Sequence, residues 1–410
     1  MPSMEIDRRA FLALALALAG GAAPRALWAA AQADPLYLAA RRRGERYEAV
    51  VLGPDGRDRL AVPMPARGHS FALDAPRRRA VVFGRQPGFF AVAFSVDGAR
   101  PPQALAAAPQ RHFFGHGLFL PDGQRMLATE NDYEAGRGVL GVYDASAGGG
   151  YRRLGEFDTA GIGPHEALLL PDGKTVCVAN GGILTHPDYG KLELNLDSMR
   201  ASLAYLDASD GRLLEKVELD PALHRLSIRH LAVAADGAVW FGCQHMGPRS
   251  ERPALVGRHR RGRAIELYAG PAETLRGFRN YIGSVAAGDG GRVIATSSPV
   301  GGQVAYWDSA TGRCLGVTAL ADGCGVAPLE TGGFLISSGW ARWCTAGRMA
   351  ARRPCWRPAA RFPGTIICAA TRPSCEDSIG CMHGSSEPDL RNWKSPPPQF
   401  TQGARPDEHP

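Results

Sequence analysis

The most informative segment of the chain is a strand–turn–strand phrase. Its clearest copy reads Pro164-His165-Glu166-Ala167-Leu168-Leu169-Leu170-Pro171-Asp172-Gly173, and Val176-Cys177-Val178-Ala179-Asn180 follows shortly after. Two apolar runs joined by an Asp-Gly turn predict a β-hairpin, because this dipeptide readily adopts the backbone angles of tight hairpin turns. The segment therefore predicts one antiparallel pair of strands.

The same phrase occurs six times in the chain. The copies lie at 68–84, 115–129, 164–180, 229–242, 283–296 and 325–337. A third strand often follows, for example Val139 to Asp144, and Arg212 to Leu219 is typical of a fourth, outer strand. Four antiparallel strands repeated at such intervals indicate the blades of a β-propeller. The longest interval predicts an insertion around Gly182 to Arg200.

Further strands are predicted before the first phrase. Tyr47 to Leu52 and Arg59 to Met64 flank Gly53-Pro54-Asp55-Gly56, and Leu36 to Ala39 is another candidate strand. They fit the outer strands of a seventh blade, whose innermost strand would come from the C-terminus and close the ring. We therefore predict an all-β fold: residues 34–340 form a single seven-bladed propeller of the WD40 or YVTN type, with six or eight blades as alternatives.

Composition and charge agree with this fold class. The 410 residues include 51 Gly and 31 Pro, which favours many turns between short strands. The net charge of +7 comes mainly from the termini, since residues 32–340 hold 34 basic against 32 acidic residues. A basic nucleic-acid-binding face is therefore not predicted.

The N-terminus carries an export motif. Arg8-Arg9 is followed by the apolar segment Phe11 to Ala23 and by small residues around Ala29-Ala30-Ala31. This pattern predicts a twin-arginine signal peptide over residues 1–33, which directs an already folded chain to the periplasm. Every other apolar run is too short for a helix that spans a bilayer, so we expect no membrane span in the mature chain.

Residues 341–410 differ from the rest of the chain. They contain no Val and one Leu, but ten of the 31 Pro and five of the nine Cys. One interpretation is a Cys-rich metal or disulfide module around Cys355, Cys368, Cys375 and Cys381, although their spacing fits no common zinc pattern. The other is that this Pro/Cys/Arg-rich tail is translated out of frame and is disordered or packs without a core, which would leave the final blade incomplete.

The export signal, the histidine-led phrases and the Pro-Asp-Gly turns across residues 1–340 resemble the domain of unknown function 1513 family, whose members are exported bacterial proteins. The resemblance implies that the chain should end in a Trp-Asp-Asn-His-Leu-like strand, which a shifted reading frame of the tail would permit. It also implies genomic neighbours that resemble imelysins and di-haem oxidoreductases. These neighbours are the expected partners, and they suggest a link to iron acquisition.

Four histidines share one position in successive phrases, just before the innermost strand: His69, His116, His165 and His230. Such strands surround the channel of a propeller, so the imidazoles are candidate ligands of Fe, Cu or Zn. The alternative is a structural role, in which each ring bonds to a neighbouring strand. A seven-bladed ring is expected to keep histidines of non-adjacent blades too far apart to share one ion, which predicts at most a partial site.

Other polar residues end the second strands of their blades and are further candidates for ligand binding: Glu130, Asn131, Asn180 and Gln244. Glu166, beside His165, is either a carboxylate ligand or a solvated residue at a strand end. Common catalytic and cofactor motifs are absent from the sequence. We therefore expect a non-enzymatic periplasmic protein that binds or docks an unidentified ligand. The alternative is an enzyme, either a metal-dependent hydrolase like the propeller lactonases or an oxidoreductase.

Overall fold

The computed structural model describes residues 35–53, 56–190, 192–330, 332–339, 342–346 and 355–357. These residues form seven antiparallel sheets, of which six have four strands and one has three. They confirm the all-β class and the single β-propeller. The predicted signal peptide over 1–33 and most of the tail over 341–410, including Cys368, Cys375 and Cys381, lie outside the described residues.

Each four-stranded sheet is one blade, and its strands follow one another along the chain. The blades comprise the following strands: blade 1, β4 (Gly68–Asp74), β5 (Arg79–Gly84), β6 (Phe90–Ser95) and β7 (Gln103–Ala106); blade 2, β8 (Arg111–Phe119), β9 (Arg125–Asp132), β10 (Arg137–Asp144) and β11 (Arg152–Asp158); blade 3, β12 (Pro164–Leu169), β13 (Thr175–Asn180), β14 (Ser202–Asp207) and β15 (Leu213–Glu218); blade 4, β16 (Leu226–Val233), β17 (Val239–His245), β18 (Val256–His259) and β19 (Glu266–Tyr268); blade 5, β20 (Ser284–Gly288), β21 (Val293–Ser298), β22 (Gln303–Asp308) and β23 (Cys314–Ala319); blade 6, β24 (Gly323–Pro328), β25 (Phe334–Ser338), β26 (Arg342–Ala346) and β27 (Cys355–Arg357). One short helix, α1 (Ala272–Gly277), lies between blades 4 and 5 in sequence.

The first strand of each blade is the innermost. First strands of successive blades contact one another, from β4 to β8 and onward to β24. They are almost wholly buried, whereas fourth strands such as β15 and β23 alternate between exposed and half-buried residues. The residues at the start of each phrase therefore face the centre of the propeller.

The predicted count of seven blades is wrong, since six sheets have the four strands of a blade. The strands that precede the first phrase form the three-stranded sheet β1 (Tyr37–Arg43), β2 (Arg46–Leu52) and β3 (Asp58–Met64). Its apolar residues pack on both blade 1 and blade 6. The two described strands beyond residue 340, β26 and β27, belong to blade 6, although the sequence predicted that the propeller ends at 340.

The turn within a phrase has the predicted chemistry. Gly173 has a φ of 68°, which glycine adopts without steric cost, and its N–H donates to the Leu170 carbonyl over 2.9 Å. The Asp172 carboxylate accepts hydrogen bonds from the backbone N–H groups of Lys174 and Thr175, each at 2.9 Å. The Asp-Gly pair thereby sets the register of the hairpin.

Three cysteines of the described region are free thiols: Cys177, Cys243 and Cys314. Cys177 and Cys243 are buried in their strands and pack in an apolar cluster, as small hydrophobic residues do. Within the described residues, none of the helices is both long enough and apolar enough to cross a membrane.

Candidate metal centre

The four phrase-leading histidines lie on the innermost strands of four consecutive blades. His69 is on β4, His116 on β8, His165 on β12 and His230 on β16. The innermost strands of blades 5 and 6, β20 and β24, contain no histidine, which limits this set to four.

Each of these strands has an irregularity at or beside its histidine. The pairing register shifts between Gly68 and Phe71, between Phe113 and Gly117, between Pro164 and Glu166, and between Ile228 and His230. Of the two innermost strands without a histidine, β20 shows no such shift, whereas β24 shows one between Gly323 and Val326. A β-bulge re-aims a side chain out of the regular alternation of a strand, and bulges are common next to functional sites. Each of the four histidines thus lies at or beside a bulge of its innermost strand.

The four rings form one cluster. Ring centroids are 5.0 Å apart for His69 and His116, 5.0 Å for His116 and His165, and 4.6 Å for His165 and His230. Histidines of non-adjacent blades also meet: the separation is 5.4 Å for His69 and His165, and 5.7 Å for His116 and His230. The expectation that non-adjacent blades hold their histidines too far apart is therefore wrong.

The cluster offers ligand atoms at metal-binding distances. One ring nitrogen each from His69, His116 and His165 lie within 4.8 Å of one another. A second group, within the same limit, consists of His116, His230 and a carboxylate oxygen of Glu166. Donors at about 2.0–2.1 Å from one tetrahedral ion are roughly 3.3–3.4 Å apart, so a shift of about 1 Å would bring the nitrogens into contact with an ion.

The histidines are held neutral by their surroundings. None is more than 5% exposed. Burial lowers the pKa of His116 to about 3, and it lowers the pKa values of His69, His165 and His230 well below the ordinary range. Positive charge adds to the effect, because Arg85 acts on His69 and Arg229 acts on His165 and His230. A neutral imidazole is the form that coordinates a metal ion.

Several ring nitrogens have no hydrogen-bond partner within the described part of the chain. They are Nε2 of His116, Nδ1 of His165 and Nε2 of His230. A buried polar nitrogen without a partner costs about 1–3 kcal/mol, and most buried polar groups in folded proteins are paired. A structural role would require local hydrogen bonds at these atoms, whereas a bound ion would satisfy them.

Glu166 is buried beside the cluster and is not solvated at a strand end. It is 2% exposed, and its Oε2 accepts a hydrogen bond of 3.0 Å from the backbone N–H of Leu231. The same oxygen lies 3.4 Å from Nδ1 of His230, and Oε1 lies 3.9 Å from Nδ1 of His116. The carboxylate thus supplies one negative charge at the side of the histidines.

Glu130, Asn131 and Asn180 make hydrogen bonds to residues outside the histidine cluster. Glu130 accepts hydrogen bonds from Tyr143 Oη (2.5 Å) and from Arg153 (2.8 Å), inside blade 2. Asn180 Nδ2 donates to the Thr159 carbonyl over 2.8 Å, and Asn131 Nδ2 donates to the Thr185 carbonyl over 3.1 Å. The Oδ1 atoms of both residues are buried and have no hydrogen-bond partner among the described residues. Among the four further candidates only Gln244 faces the cavity above the histidines.

That cavity opens directly onto the cluster. Its volume is about 300 Å³, and His69 and His165 are part of its lining together with Arg85, Arg229 and Glu193. The two arginines were not among the predicted site residues. Arg229 directly precedes His230 in the sequence, so a positive charge next to a candidate ligand could have been noticed there. The net charge of the whole chain does not reveal it.

The predicted insertion forms part of the cavity wall. Residues 182–200 lie between β13 and β14, and Ile183, Thr185 and Glu193 line the cavity. The insertion contacts the two preceding blades, because Thr185 Oγ1 accepts a hydrogen bond of 2.8 Å from Gln86 and the Thr185 carbonyl accepts one from Asn131. Blade 3 therefore contributes both a histidine and part of the wall above it.

Comparisons with known proteins agree with the fold. The family model described as "Protein of unknown function (DUF1513)" matches residues 62–361. None of the curated proteins matches the chain. Among solved structures, the hydrazine synthase of Kuenenia stuttgartiensis is similar, with a TM-score of 0.53 and 13% identity over 77% of this chain and 90% of that chain. A chain of a nidogen/laminin complex reaches a TM-score of 0.46 at 13% identity, over 69% of this chain and 93% of that chain. The likeness to hydrazine synthase concerns the fold alone.

Proposed function

We propose that this chain, which belongs to the family described as Protein of unknown function (DUF1513), is a metal-binding propeller. It holds one divalent transition-metal ion on His69, His116, His165 and His230, and Glu166 lies beside the ion. Four neutral imidazoles and a carboxylate suit Fe(II), Cu(II) or Zn(II), whereas Mg²⁺ and Ca²⁺ prefer oxygen ligands.

One observation carries the proposal: buried ring nitrogens from several blades face one another without hydrogen-bond partners among the described residues. Assembling such a group costs free energy because each nitrogen loses its hydration. An ion bound at the centre offsets that cost. The bulges at or beside the four histidines agree with the proposal, since bulges are common next to functional sites.

Metal titration tests the proposal directly. The full chain, purified without a polyhistidine tag and stripped with EDTA, is expected to bind one Zn²⁺ or Cu²⁺ with a dissociation constant below about 1 µM. At a free ion concentration one hundred times that constant, the ion should stabilise the fold by about 2.7 kcal/mol. Equilibrium dialysis with elemental analysis gives the stoichiometry, and Mg²⁺ serves as the control ion. A chain that binds no transition metal, or binds Mg²⁺ equally well, contradicts the proposal.

Glu166→Gln is expected to weaken metal binding about 10- to 100-fold, as other changes beside the ligands of a metal do. The amide oxygen can still accept the hydrogen bond from Leu231, but the negative charge that faces His116 and His230 is lost. Glu251→Gln is the matched control, because Glu251 also pairs with a histidine, His245, away from the cluster. Competition with a chelator of known affinity measures the effect. Equal weakening by both substitutions would argue against a role for Glu166.

Location and physiological role complete the proposal. Twin-arginine export carries folded chains, so an ion bound before export would remain in place, and the N-terminal motif with Arg8 and Arg9 fits a periplasmic protein. A link to iron acquisition, with imelysin-like or di-haem oxidoreductase-like partners, is consistent with an Fe(II)-compatible ligand set. A lactonase-like enzyme is not supported by Glu130, its expected carboxylate ligand, because Tyr143 and Arg153 bind this carboxylate inside blade 2.

A further inference from the structure

The cavity above the histidines has a cationic wall. The side chain of Arg85, at the end of β5, lines the cavity beside His69 and makes no ion pair with a carboxylate within the described residues. Arg229 lines the same cavity beside His165. Glu193 is the acidic residue of this lining, and the charge of Arg229 acts on it. With neutral histidines, the cavity thus has one more positive than negative side chain.

The rest of the lining is divided between apolar and polar groups. Phe114, Ile183 and Met246 give it an apolar surface, whereas Gln86 and Tyr281 contribute polar groups. A volume of about 300 Å³ is at the lower end of the range for small-molecule sites. A guanidinium binds a carboxylate by paired, charge-assisted hydrogen bonds, which give direction as well as affinity.

We propose that the cavity binds a small organic carboxylate, whose acid group lies between Arg85 and Arg229 and whose apolar body contacts Phe114, Ile183 and Met246. The anion would lie directly above His69 and His165. The position of the anion next to a bound ion rests on the proposed metal function. The cavity and its two arginines, Arg85 and Arg229, are independent of that function. An occupied metal site adds two positive charges to the floor of the cavity and should tighten binding of the anion.

Benzoate is a suitable probe, because it combines a carboxylate with a compact apolar body, and benzamide has the same shape without the charge. Isothermal titration calorimetry of the full chain is expected to show saturable benzoate binding at least tenfold tighter than benzamide binding. Arg85→Gln should weaken benzoate binding at least tenfold, since a charge-assisted pair is lost. Glu193→Gln should strengthen it several-fold, because a negative charge is removed from the cavity. Arg212→Gln, on an exposed surface near β15, is the matched control and should have no effect.

Each titration is carried out on metal-free and on Zn²⁺-loaded protein, and Zn²⁺ binding is measured separately for every variant. Benzoate binding without Zn²⁺ binding would overturn the metal function and support the carboxylate site. The carboxylate site would be overturned if benzamide binds as tightly as benzoate, or if Arg85→Gln does not change benzoate binding. If Zn²⁺ binding is normal in the same experiment, the metal function is retained. Binding of inorganic phosphate without binding of benzoate would also overturn the carboxylate site.

Discussion

The combined substitution of His116 and His165 by Ala is expected to abolish stoichiometric metal binding. These two rings are the most central of the cluster, because each of them closely approaches all three of the other rings. Their removal breaks both groups of candidate ligands, since His116 belongs to each of them. The remaining rings, His69 and His230, lie on non-adjacent blades 1 and 4 and cannot replace the lost donors.

The effect on folding separates the two roles that histidine can have here. Neither ring makes an ordinary hydrogen bond at the nitrogens named above, so the substitution loses little pairing and chiefly leaves two cavities. We therefore expect the double variant to fold, with native circular dichroism and a cooperative thermal transition. His116→Gln with His165→Gln is a second pair that keeps more of the side-chain volume and should lose metal binding as well.

Two outcomes would contradict this expectation. If the double variants bind one Zn²⁺ as tightly as the parent, the ion does not lie in the cluster. If the parent binds no metal and both double variants fail to fold, the histidines serve the packing of the blades. Measurement of stoichiometry and thermal stability on the same samples distinguishes these cases.

The sequence was sufficient for the repeating hairpin and for the inward histidines. Asp-Gly turns such as Asp172-Gly173 determine local geometry, and residues at one place in a repeated phrase come to one end of one channel. The close convergence of the four rings was not predictable, since each inner strand has a bulge at or beside its histidine, as at His165, which is an extra residue between the paired Pro164 and Glu166. Bulges leave no fixed mark in a single sequence.

The positions of Arg85 and Arg229 at one cavity, and the burial of Glu166, could not be predicted for a related reason. Glu166 looks like a polar residue at a strand end, yet the bulge at His165 places it against His230 and the N–H of Leu231. Arg85 and Arg229 lie on different blades, and only the ring of blades brings them to one cavity. The count of blades failed for a different reason: the segment 35–64 has strand patterns, but a pattern does not reveal which strand completes a sheet.

Glu130→Ala is expected to lower the free energy of unfolding by about 3–5 kcal/mol without changing the stoichiometry of metal binding. Glu130 is 1% exposed and accepts hydrogen bonds from Tyr143 and Arg153, which lie on neighbouring strands of blade 2. Burial raises the pKa of this carboxyl, and the positive charge of Arg153 opposes that effect. Its removal takes away the carboxylate that accepts from the Tyr143 hydroxyl and one of the two carboxylates, Glu130 and Glu156, to which Arg153 donates.

The comparison with Glu218→Ala shows why burial decides the outcome. Glu218 also forms an ion pair, with Lys216 at 2.8 Å, but both side chains are one-third exposed on the outer strand β15. Exposed pairs contribute about 0–1 kcal/mol, because water screens the charges in both states. Chemical denaturation of the two variants should therefore give clearly different losses, with one metal ion bound to each. If the Glu130→Ala variant folds but no longer binds metal, Glu130 belongs to the metal centre. Its position at the end of a second strand made it a candidate for ligand binding in the sequence.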